Sequence, residues 1–290
     1  MRFSGHESFH CRHFWLKKGY DYLNNGGNMQ SEDSTSILGV GKNMVASINY
    51  WLFAFNIRDK ANLLTPLGEY LFGDDGKDPY LEDKGSLWIL QYLLVNSGIA
   101  SIYSLVFKIF RKKHLNSQFT LPQIQSDVKR ELVKHGHKIA EQTIEKDIRV
   151  FLKTYYVTTQ KGKLNEDDLS SLLIDLELIE KVESNQDGEN HITYKIRVTD
   201  RKEIPVEIMA FFLLYSIDDE IQDDISLSFD EILLNTADSI ACNRDGLEQH
   251  IQSLQEKYDW IVYKEDAGRR EIQIKANRPT AFMILNEYYG

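Results

Sequence analysis

Two stretches of this chain set apolar residues at i, i+4, i+7 and i+11, each after a helix that begins at a capping box and before alternating segments. In the first, Thr120-Leu-Pro-Gln123 opens a helix over about 121–134 that stops near Gly136, with Pro122 tolerated in its first turn. A second helix over about 140–155 turns Ile144, Ile148, Phe151 and Tyr155 inward and leaves Lys146, Arg149 and Lys153 as a ridge on its other side. Leu178–Val182 and Thr193–Val198 flank Asn185-Gln-Asp-Gly188 as a hairpin, although a helical reading of 169–183 competes. In the second stretch, Ser228-Phe-Asp-Glu231 caps a helix running to about Ala237. A helix over about Gly246–Tyr258 follows, with Leu247, Ile251, Leu254 and Tyr258 inward. Trp260–Tyr263 and Arg270–Lys275 then alternate around Asp266-Ala-Gly268, a hairpin signal. Helix, turn, helix, hairpin is the order of a winged helix.

A related pattern lies near the N-terminus. Ser36-Ile-Leu-Gly-Val-Gly41 reads as a tight turn between helices, and a helix from Lys42 to about Phe55 buries Val45, Ile48, Trp51 or Leu52, and Phe55. Lys42, Asn43, Ser47 and Tyr50 are then expected on its open side, where such residues reach base edges or phosphates. The rival reading is a structural helix in a small bundle, since only one of the four is a cation. Leu63–Gly68 is expected to form a short strand and turn. The fold class predicted is mainly α with small β-hairpins (α+β), as two or three winged-helix-turn-helix-like modules over 1–107, 108–217 and 218–290.

With 290 residues the chain has room for two domains or three small ones. Its net charge of −10 is uneven: +2 over 1–60, −4 over 61–107, +8 over 108–163, −15 over 164–242 and −1 over 243–290. A basic segment in an acidic protein is the pattern of one face meeting a polyanion. Arg111, Lys112 and Lys113 join the ridge in that segment. The acidic run Asp218-Asp-Glu220 with Asp223-Asp224 lacks the ligand order of a calcium loop and reads as a solvated linker. Cys11 and Cys242 make neither a disulfide framework nor a zinc site, and no apolar run is long enough to span a bilayer. The first residues are polar where a signal peptide has its apolar core, so a cytoplasmic, reducing setting without a membrane is expected.

Two motifs match search patterns only in part. His6-Glu7-Ser-Phe-His10 has the spacing of a zinc protease but precedes any expected helix, with His13 the only close third ligand. Gly39-Val-Gly-Lys42 lacks the first glycine of a phosphate loop, and Asn43 stands where magnesium needs Ser or Thr.

Arg2-Phe-Ser-Gly-His-Glu-Ser-Phe9, Phe14-Trp-Leu-Lys-Lys-Gly19, Leu38-Gly-Val-Gly-Lys-Asn-Met44, Leu64-Thr-Pro-Leu-Gly68 and Asp78-Pro-Tyr-Leu-Glu-Asp83 together resemble an uncharacterised-domain family of bacterial DNA phosphorothioation operons. That family includes the nickase component of the Ssp system. The motifs span about residues 1–95. The resemblance implies a cytoplasmic protein that binds double-stranded DNA beside a sulfur-transferring, reductase-like enzyme and an ATPase. Its implied role is to nick DNA or recognise a site so that sulfur can replace a non-bridging phosphate oxygen. In that family Gly5-His6-Glu7 is more typical than the second histidine, which leaves His6 and Glu7 as the catalytic candidates. His6 would act as acid or base, and Glu7 would orient it or hold a metal through water. Arg12, Lys17 and Lys18 would clamp the phosphate. No tightly bound cofactor is expected, and magnesium or manganese would serve a nickase. A non-catalytic adaptor and a transcriptional regulator are the alternatives, and pairing as a homodimer suits a two-fold DNA site.

Overall fold

The computed structural model describes residues 1–156, 171–186, 189–217, 221, 223–266 and 268–290, with the side chains of 186–190 left aside. The expected linker residues 218–220 lie outside the described residues, as do 187–188 and 267 at the two hairpin turns. The chain is α+β, with helices and two small antiparallel sheets, and divides into two compact units, Met1–Arg197 and Val198–Gly290. Three segments were expected; the contacts place the first and most of the second in one unit.

The N-terminal unit is built around the helix Lys84–Asn96, buried from Gly85 to Val95 without a polar face, as an all-round apolar helix must be. Its start is set by two acidic residues. Asp83 accepts from the Gly85 and Ser86 amides, and Asp78, itself buried, accepts from the Glu82 and Asp83 amides and the Ser86 hydroxyl. Thr65 likewise caps Pro66–Phe72 through Gly68 N–H, while its own hydroxyl donates to the Asn56 carbonyl, so Leu64-Thr-Pro-Leu-Gly68 is a helix start with a bridge from Leu64 to Arg58. Trp15–Asn24, Ser34–Leu38 and Lys42–Ala54 lie before these, the last two joined through left-handed Gly39 as expected. A helical run Ser101–Lys113, with a π-turn over Leu105–Phe110, leads to β1 (Gln118–Phe119). Among the described residues no single helix is long and apolar enough to cross a membrane.

Helices Leu121–Lys134 and Glu141–Tyr155 start and end within a residue of expectation, the first with its Thr120–Gln123 capping box formed. β2 (Ile179–Gln186) and β3 (Glu189–Ile196) form the hairpin, so the helical reading of 169–183 fails over its described part. β1 pairs with β3 on the far side, giving the order β1-β3-β2. Buried hydrogen bonds tie this half to the first: Tyr155 Oη donates to Gln91 Oε1 at 2.6 Å, and Tyr103 Oη and Thr154 Oγ1 are 2.7 Å apart.

The C-terminal unit repeats the order. Helix Val206–Leu214 precedes β4 (Ile225–Ser228), and the Ser228–Glu231 capping box opens Phe229–Ile232, which continues through π and 3-10 turns to Ile240. Arg244–Lys257, β5 (Ile261–Asp266) and β6 (Arg269–Ile274) follow, with strand order β4-β6-β5. Sequence reading did not foresee β4 or the closing helix Ala281–Tyr289.

Inside this unit the buried His250 donates Nε2–H to the Arg201 carbonyl at 3.0 Å, and burial pushes its imidazole below the ordinary histidine range. The folded unit therefore holds His250 neutral, whereas the unfolded chain protonates it near pH ~6.5. Its contribution is complete above that pH and declines as pH falls toward the lowered value. Between pH 7.5 and 5.5 the wild type should lose more thermal stability than His250→Gln; equal losses would remove this linkage.

Candidate functional site

Residues 2–10 run as an irregular strap whose backbone is left-handed at Ser4, Gly5, Glu7 and Ser8. Such clustering outside glycine is unusual and persists only where surroundings impose it. Here they do. The Ser4 N–H donates to both carboxylate oxygens of Asp147, at 3.1 and 3.0 Å, and Asp147 is buried on helix Glu141–Tyr155. Arg2 N–H donates to Ser101 Oγ at 2.7 Å, and Trp51 Nε1 donates to the Phe9 carbonyl at 3.1 Å. Gly5 has φ +102°, and a Cβ there would stand 2.7 Å from the Tyr50 ring.

His6 is buried between aromatic rings, nearly parallel to Trp51 and edge-on to Tyr50. Its Nδ1 accepts from the Ser8 N–H at 3.1 Å, which places the proton of the neutral ring on Nε2. That atom lies 3.2 Å from Asp147 Oδ1 without the alignment of a hydrogen bond. Both nitrogens thus face protein groups, and the acidic neighbour is Asp147 rather than Glu7, whose side chain is exposed. Magnesium takes oxygen ligands. The strap offers an outward Glu7 beside a buried imidazole, and among the described residues no three His, Cys, Asp or Glu side chains converge. The His6–Glu7 pair does not fit a metal centre.

The nucleic-acid candidates separate into outward and inward groups. Lys42 and Asn43 are exposed, but Ser47 is fully buried and Tyr50 is 5% exposed. The helix face expected to meet DNA is therefore corrected: the strap lies across it, with Gly5 and His6 against Tyr50. Arg111 is also corrected, being buried at 6% exposure, while Lys112 and Lys113 are exposed and Lys113 lies over the Phe110 ring. Arg12 is half-buried over Trp15. Lys17 donates to Asp21 Oδ1 at 2.6 Å and to the Phe72 carbonyl, and Lys18 donates to the Leu38 carbonyl at 3.1 Å. On helix Glu141–Tyr155, Lys146 and Arg149 are exposed and Lys153 is half-buried, with Arg149 paired to Glu145 at 2.6 Å.

Sequence reasoning missed an arginine-lined cleft in the C-terminal unit, which Asp230 and Glu271 also line. Arg244, at the start of helix Arg244–Lys257, and Arg269 and Arg270, at the start of β6, line a cleft of about 450 Å³ with Phe229. Arg244 stacks 4.7 Å from the Phe229 ring centroid, and Arg270 bridges Glu248 and Glu265. The adjacent Arg269-Arg270 after Gly268, in a hairpin beside a helix start, was the available signal.

The chain belongs to the family described as "Protein of unknown function (DUF4007)", whose model matches residues 3–289. Two crystal structures of SspB share the fold. The magnesium ion-bound form matches at a TM-score of 0.80 and the other at 0.78, each with 24% sequence identity over 99% of this chain and 88% of that one. No curated protein matches the sequence.

Proposed function

We propose that this chain is the DNA-binding component of a phosphorothioate modification and defence system, working with the other proteins of that system as the likeness to SspB suggests. The observation that carries the reading is the recurrence in both units of strand, helix, helix and hairpin, with the first strand beside the last. We read this as a winged helix, whose second helix enters a groove or lies along the backbone. In the N-terminal unit that helix carries exposed Lys146 and Arg149 and half-buried Lys153, suited to sequence-independent phosphate contact. The entire net charge of −10 resides in Val198–Gly290, so the main DNA contact is assigned to the N-terminal unit and docking of a basic partner to the acidic one.

The test is a salt titration of duplex binding. The Lys146/Arg149/Lys153 triple alanine should bind more weakly, with a log affinity against log salt slope shallower by ~0.9 per lost phosphate contact. An unchanged slope would remove the ridge as a DNA surface. A nicking role would use Glu7 without the buried His6. Magnesium-dependent relaxation of supercoiled plasmid that Glu7→Ala abolishes would establish it over the non-catalytic reading.

A further inference from the structure

Beside helix Trp15–Asn24 the structure has an apolar cleft of about 410 Å³ that the DNA-binding ridge does not use. Phe14 and Ile37, 62% and 63% exposed, line it together with Tyr22 and Leu38, and Lys17, Lys18 and the Asp21 carboxylate lie among them. Both large apolar side chains stand open to water at the same small cleft. The volume suits one small ligand.

Phe14 is also held in place. The His13 ring stands edge-on to it, centroids 5.1 Å apart at 85°, and His13 Nε2–H donates to the Tyr80 carbonyl at 2.7 Å. The ring is a pre-oriented platform rather than a free side chain, and nothing in the fold of the helix requires it, because Trp15 and Leu16 already supply the buried side. The two lysines define what the platform is for. Lys17 is paired with Asp21, whereas Lys18 donates to the neutral Leu38 carbonyl at an exposed position. An aromatic face with an ammonium beside it matches a flat base attached to a phosphate; an aliphatic protein side chain would use the apolar walls and leave the cations idle.

We infer that this cleft takes one unpaired nucleotide of DNA, its base on Phe14 and its phosphate toward Lys18. The inference rests on the DNA-binding reading and deepens it: the protein would hold a strand locally opened from its complement. Opening exposes the base face that a stacking platform needs.

The experiment uses the full chain and two probes of one sequence, a duplex and the same duplex with a single-nucleotide gap exposing a 2-aminopurine. Wild type should bind the gapped probe more tightly and change the 2-aminopurine fluorescence. Phe14→Ala should lose about tenfold in affinity for the gapped probe while changing duplex affinity less than twofold, and Phe14→Trp should restore the gapped preference. Lys18→Ala should weaken the gapped probe in the same selective way. If wild type binds the duplex but shows no gapped preference, or Phe14→Ala affects both probes equally or neither, the nucleotide inference is overturned and the DNA-binding reading stands. If wild type binds neither probe at low salt, the DNA-binding reading itself fails, and the inference with it.

Discussion

Asp147→Ala is expected to destabilise the N-terminal unit by about 3 kcal/mol, because it removes the acceptor of the Ser4 amide and the buried carboxylate that stands against the His6 ring. Asp147 is 2% exposed and accepts the Ser4 amide through both oxygens, while His6 Nε2 rests 3.2 Å away. Alanine would leave the Ser4 N–H without its acceptor and the buried His6 ring facing an empty space. The strap would then lose the contact that holds its left-handed backbone in place. For a unit of this size the change corresponds to a fall in melting temperature of roughly 6–12 °C. A second readout separates this from a general packing loss: the buried Tyr50 and Trp51 should become accessible in the folded variant, visible as a shift in tryptophan emission. A destabilisation below about 1 kcal/mol would mean that the strap is held by its aromatic contacts alone.

Gly246→Ala should destabilise the C-terminal unit by about 2 kcal/mol or more, although alanine in place of glycine inside a helix ordinarily stabilises by about 1 kcal/mol. The sign reverses because a Cβ at Gly246 would lie 2.4 Å from the Asp200 Cα and carbonyl oxygen, which are backbone atoms with no rotamer to yield. The close approach is part of a joint. Asn243 Oδ1 accepts the Gly246 amide at 2.6 Å, the Asn243 amide donates to Thr199 at 2.7 Å, and buried Arg201 Nε donates to the Ile240 carbonyl. Moving residues 199–201 away from the helix breaks several of these at once. Faster amide exchange along Arg244–Lys257 is the measurement, with wild-type protection in the variant as the result that would count against the joint.

How far the fold was legible depends on whether its cause was local. The helices Leu121–Lys134, Glu141–Tyr155 and Arg244–Lys257 were readable because apolar spacing and capping side chains act within a few residues. Strand β4 was not, since four residues of mixed polarity become a strand only by pairing with β6, some 45 residues further along. Bonds between the segments expected at 1–107 and 108–217, such as Tyr155 to Gln91, were not legible, since no composition shift reveals them. At the candidate site, the outward side of helix Glu141–Tyr155 was legible from its own spacing. The covering of Ser47 and Tyr50 was not, because the residues that cover them precede the helix by about forty positions and have no periodicity.

The family motifs near the N-terminus show the same division. The sequence by itself determined that Thr120 and Ser228 begin helices, that both helix pairs end in a hairpin, and that Lys146, Arg149 and Lys153 share one side of a helix. Each follows from hydrogen bonds, turns or side-chain periods that reach no further than a few residues. Only the tertiary structure decided that His6 faces Asp147 instead of Glu7, that Arg111 turns inward, that three arginines of the C-terminal unit share a cleft and that Phe14 stands open beside Lys18. Those outcomes are set by contacts between residues up to 143 positions apart. Burial decides them, and burial is a property of the folded chain, not of any local run of its residues.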